Sequence, residues 1–123
     1  MQPDDLQRTA DQVVQRALEQ LPESIRQAAE DCRVELVTMA VCVADGETLE
    51  DGLLGLFEGC PRGGPLSESP DQFPHIRLFL DNLWDYSGGD LRVFRDEVRI
   101  TFLHELGHYL GFDDAAVEEL GLG

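Results

Sequence analysis

The stretch EVRITFLHELGHYLGFDD, Glu97 to Asp114, decides how the rest of this sequence is read. Apolar residues crowd it from Ile100 to Leu110 with no proline to break a helix, and Gly111 supplies a stop able to take positive φ. Upstream, Ser87-Gly-Gly-Asp90 offers Ser87 or Asp90 as an N-cap. The spacing therefore predicts a long helix from Leu91 to Leu110, with its second half buried because it is apolar nearly all round. Into that apolar half the sequence inserts two histidines and a glutamate, polar groups that are costly to bury without partners.

His104 and His108 are four residues apart, so on a helix they point in nearly the same direction, about 40° apart around the axis. Two imidazoles so placed can converge on one zinc ion at ~2.0–2.1 Å. Glu105 projects beside that face and can accept a proton from a zinc-activated water without being a ligand. A catalytic zinc needs a third protein ligand and an open position. Gly111 lets the chain turn, and Asp114 then falls ten positions after His104, completing the spacing HExxHxxGxxD. Asp113 is a second choice for that ligand, followed by Glu118 or Glu119. With this composition an HExxH string arises by chance on the order of 1% of the time. Arg77, His75 and Tyr86 are the candidates for a second donor to a developing oxyanion.

Working outward, Pro3 to Gln20 reads as an amphipathic helix, with Leu6, Ala10, Val13, Ala17 and Leu21 at helical spacing and Asp4 and Asp5 in its first turn. Pro22 breaks the run, and Glu23 to Glu30 reads as a short second helix. RVELVTMAVCV (Arg33 to Val43) is rich in β-branched residues and predicts a strand. Asp45-Gly46 marks a turn, and LLGLFEG (Leu53 to Gly59) predicts a second strand. Gly59 to Pro74, dense in proline and glycine, predicts a long loop. HIRLFLDNL (His75 to Leu83) alternates through Ile76, Leu78 and Leu80, with Phe79 out of phase, and predicts a third strand. Lying just before the helix that carries the histidines, it is expected to form a sheet edge to which an extended peptide could add. Asp114 to Leu120 predicts a last short helix.

Composition narrows the function classes. Nine basic residues, all Arg, stand against 25 acidic ones, for a net charge of -16. That field disfavours nucleic acid and anionic membranes as partners. The absence of Lys excludes Schiff-base chemistry and the P-loop lysine. Cys32, Cys42 and Cys60 are odd in number and lack CxxC spacing, which argues for buried thiols in a reducing compartment rather than a disulfide framework. No signal-like or membrane-spanning segment is visible, so a cytoplasmic protein is expected, with a monomer as the default.

The run LLGLFEG, the segment IRLFLDNL and EVRITFLHELGHYLGFDD, in that order, resemble the small bacterial minimal zincins. The resemblance covers roughly Leu53 to Leu120. It implies an α+β fold in one domain spanning residues 1–123: an N-terminal helix, a small mixed β-sheet and a buried active-site helix carrying HExxH. It also implies His104, His108 and Asp114 as zinc ligands, Glu105 as the catalytic base, and zinc-dependent metallopeptidase activity on a peptide or unfolded protein. The alternative is a zinc-binding partner-recognition domain with little turnover. The nine residues after Asp114 hold no methionine, unlike metzincins, and no distant glutamate helix of the gluzincin kind follows.

Overall fold

The helix drawn from Leu91 to Leu110 forms over that same span, and the other elements arrange themselves around it. In the computed structural model, residues 3–59 and 74–111 are described. Five helices and three strands follow in the order α1 (Pro3–Glu19), α2 (Glu23–Ala29), β1 (Arg33–Val37), α3 (Met39–Ala44), β2 (Gly55–Glu58), β3 (His75–Phe79), α4 (Leu80–Tyr86) and α5 (Leu91–Leu110). The fold is α+β, with a small mixed sheet as expected. The expected helix from Asp114 to Leu120, Cys60 and most of the Gly59 to Pro74 loop lie outside the described residues.

The sheet order is β1-β3-β2, with β1 parallel and β2 antiparallel to β3. Its inner face is set by alternation along each strand. Val34 and Leu36, Ile76 and Leu78, and Phe57 all turn toward α1 and α5 and join one core with Leu6, Ala10, Val14, Phe94, Val98, Phe102 and Leu106. Phe79, the residue out of phase in the sequence, lies on the outer face, where it packs with Met39 and Cys42 beneath α3.

Three expectations are corrected. The run Arg33 to Val43 is a strand only to Val37, because Thr38 caps α3, its side chain accepting from the Val41 amide at 3.2 Å. Asp81, from the start of α4, takes the next two amides: its carboxylate accepts from Met39 N at 2.8 Å and Ala40 N at 3.1 Å. Those caps outweigh the β-propensity of Val41 and Val43. Similarly, the third strand ends at Phe79 rather than Leu83. Leu80 and Leu83, three apart, are both buried by a helical turn, which a strand would not allow. Finally, β3 is paired on both sides, so the idea that it forms a free edge for a peptide fails. Among the described residues β2 has β3 as its single partner, and β2 lies against α5, as β3 does.

Asp81 thus fastens α3 to α4 through hydrogen bonds to a charged group. Asp81→Ala is expected to destabilise the protein by about 2 kcal/mol in urea unfolding, the usual worth of charge-assisted bonds to capped amides.

Candidate metal centre

Helix α5 presents three stripes, each at the four-residue spacing that aligns side chains on one face. Phe94, Val98, Phe102 and Leu106 form the innermost stripe and are fully enclosed by the core. Thr101, Glu105 and Tyr109 form the next, turned toward β2, where Phe57 and Tyr109 meet with ring centroids 5.8 Å apart. The outermost stripe is Ile100, His104 and His108. Ile100 is 43% exposed and both histidines reach the surface, whereas Leu103 and Gly107 are buried as well, so the second half of α5 is enclosed on every side but this one.

The helix begins at Asp90, whose carboxylate accepts from Arg92 N at 2.9 Å and Val93 N at 3.2 Å. It ends at Gly111, left-handed at φ 79°, whose amide is bonded to the last carbonyls of α5. A residue with a Cβ would be strained at that angle. The turn therefore closes one residue past Leu110 and leaves the two histidines on the final two turns.

There the side chains converge. The His104 and His108 rings lie 4.6 Å apart between centroids, tilted by 64°. Glu105 Oε2 is 3.5 Å from His108 Nδ1. One ligand atom from each of His104, Glu105 and His108 falls within 4.8 Å of the others, and this is a grouping able to hold a metal ion. Burial separates the two kinds of group: the Glu105 side chain is 12% exposed, the His108 side chain 46%. Two imidazoles at the surface with a carboxylate held just inside them suit a borderline-soft divalent ion with solvent access. Asp114, and with it Asp113, Glu118 and Glu119, lies outside the described residues.

A family model described as a zincin-like metallopeptidase matches residues 31–123. The chain belongs to that family. No curated protein matches it.

For this zincin-like protein the proposed oxyanion donors do not assemble. Arg77 and His75 alternate with the core residues Ile76 and Leu78, which puts them on the sheet face turned away from α5. Arg77 is instead the hub of an acidic cluster, with its guanidinium donating to Glu47 at 2.6 Å and pairing with Glu35 and Glu58. Its Nε and Glu58 Oε1, 3.3 Å apart and shielded from solvent, pair by charge without an aligned hydrogen bond. Tyr86 is 65% exposed. It ends α4, a helix whose Trp84 touches α5 at Phe94, ten residues before His104.

The two cysteines among the described residues, Cys32 and Cys42, are equally remote from metal chemistry. Burial pushes the Cys32 thiol up to about 12. The Cys42 thiol is raised by burial and then by its hydrogen bond with Glu47. Both stay protonated at neutral pH, and neutral thiols are poor ligands.

The Arg77 cluster gives a pH test. The hydrogen bond from Arg77 holds the Glu47 carboxyl below its ordinary value. A depressed carboxylate stabilises the fold above its unfolded pKa, and that stabilisation is lost as pH falls through the folded value. Glu47→Gln should therefore lower the thermal midpoint at pH 7, and the deficit should close below the usual carboxylate range. A Tm series from neutral to acid pH measures it.

Proposed function

We propose that this protein is a zinc metallopeptidase in which His104 and His108 hold the ion, Asp114 completes the ligand set, and Glu105 is the general base. The observation that carries this reading is the position of Glu105: a carboxylate set inside the core boundary, 3.5 Å from the outward His108, on the stripe next to the two imidazoles. Taking a carboxylate out of water is costly unless it is paired, and here its partner is a histidine of the candidate metal pair.

Zinc, when bound, supplies Lewis-acid polarisation of a substrate carbonyl and acidifies a water. Glu105 takes that water's proton and passes it to the departing amine. Its low exposure restricts competing water around the carboxylate, and its helix fixes it relative to both histidines. The substrate is a peptide or an unfolded chain. β2 replaces β3 as the strand able to receive it, because β2 lies on α5 and offers an edge among the described residues. The strongly acidic chain, at -16, keeps nucleic acid out of consideration. No helix among the described residues is long and apolar enough to cross a membrane.

Two substitutions test the assignment. Glu105→Gln should retain stoichiometric zinc while cutting hydrolysis of a quenched-fluorescent peptide library by about 10²–10⁴-fold. His104→Ala should lose the zinc and lower the thermal midpoint of the metal-loaded protein, because the ion binds only the folded state. Equal processing of the library by wild type and Glu105→Gln would instead leave a zinc-binding recognition domain.

A further inference from the structure

Two contacts of β2 with α5 bracket Glu105. At one end Gly55 meets Thr101: a Cβ built on Gly55 would lie 2.5 Å from Thr101 Cγ2, and 3.3 Å from both Arg77 O and Leu78 Cδ2. At the other end Phe57 packs on Tyr109. Thr101, Glu105 and Tyr109 are successive members of one stripe of α5, so the strand lies along that stripe with Glu105 between these two contacts. Gly55 and Phe57 both turn inward, as the register with Leu78 and Ile76 requires.

A contact at 2.5 Å cannot be accommodated without movement. Thr101 is β-branched and held on a packed helix, so its methyl gives way reluctantly. The Arg77 carbonyl and Leu78 Cδ2, at 3.3 Å, would need to give by only a few tenths of an ångström, so the Thr101 methyl is the principal obstacle. The bare α-carbon of Gly55 is what allows the strand to come down onto the helix at this point.

We propose that Gly55 is a positioning residue, whose missing side chain seats β2 on Thr101 and thereby sets the height of the strand's outer edge above Glu105 and the His104–His108 pair. This deepens the metallopeptidase reading and rests on it: the edge so placed is the one that holds the substrate backbone beside the ion. A methyl at Gly55 lifts one end of β2 while Phe57 and Tyr109 hold the other. The strand tilts, and a peptide lying along it no longer presents its carbonyl at the metal. The ligand pair, carried wholly by α5, stays where it is.

The test uses the full chain loaded with cobalt(II) and follows the visible spectrum of the ion. Two probes are compared: acetohydroxamate, which can reach only the metal, and a tripeptidyl hydroxamate, which also extends along the strand. In Gly55→Ala the dissociation constant of the peptidyl probe should rise about ten- to a hundredfold, as misplacement by a fraction of a bond length commonly costs. Acetohydroxamate should change by no more than about twofold, since its contacts are unaltered. Thr101→Ala added to Gly55→Ala removes the obstructing methyl and should restore peptidyl binding.

Unchanged peptidyl binding in Gly55→Ala overturns the proposal, as does loss of both probes together, which would make Gly55 a prop for the metal site itself. If Gly55→Ala does not fold, recovery of folding and peptidyl binding in the double variant supports the seat on Thr101, and no recovery overturns it. A wild type that takes up no cobalt overturns the metallopeptidase reading, and the proposal with it. A wild type that binds both probes equally keeps the metal site and overturns only the role of the strand.

Discussion

One helix has to satisfy three neighbours, and that constraint governs the structure. Four aromatic and aliphatic side chains at four-residue spacing, Phe94, Val98, Phe102 and Leu106, are driven into the core. Each is worth roughly 1.5–3 kcal/mol of burial. Their burial fixes the rotation of α5 about its own axis. Once that rotation is fixed, the next stripe must face β2 and the one beyond it must face solvent. His104 and His108 point outward because Phe102 and Leu106 point inward, and Glu105 falls at the seam between them.

The seam explains why the site combines groups of unequal exposure. In the proposed metallopeptidase the imidazoles need access for an exchangeable position on the metal, while a base works best where water is scarce. A single turn of helix delivers both by rotating about 100° from one residue to the next. The sheet contributes by covering the middle stripe. Its other face is occupied by the Arg77 cluster and by the small apolar group under α3, so the same three strands separate the metal side of the molecule from an ion-paired surface.

The α5 helix and the convergence of His104, Glu105 and His108 were legible in the sequence because they are local: a cap at Asp90, a stop at Gly111, and a four-residue histidine repeat. Helices α1 and α2 were legible for the same reason, and β2 from its glycine-bounded apolar run. The misread segments each depend on something distant. α3 begins at Met39, after its cap Thr38, because Asp81, 42 residues later than Met39, accepts from its first amides. α4 begins at Leu80 because a helical turn buries Leu80 and Leu83 together. The pairing of β3 on both sides follows from a crossover that places the third strand between the first two, and strand order leaves no mark on alternation. Arg77 was misassigned because a strand residue's face is decided by that pairing, and Glu35, Glu47 and Glu58 come from three other segments. The contact between Gly55 and Thr101 has no signature beyond a glycine inside a strand.

The claim on which the account depends is that the two imidazoles of α5 share one ion. X-ray absorption spectroscopy of the protein reconstituted with one equivalent of zinc reads this directly. The account predicts a four-coordinate nitrogen and oxygen shell at ~2.0–2.1 Å, with the outer-shell scattering of two imidazole rings, and loss of that bound-zinc signature in His108→Ala. A spectrum without imidazole scattering, or one that His108→Ala leaves unaltered, would contradict it.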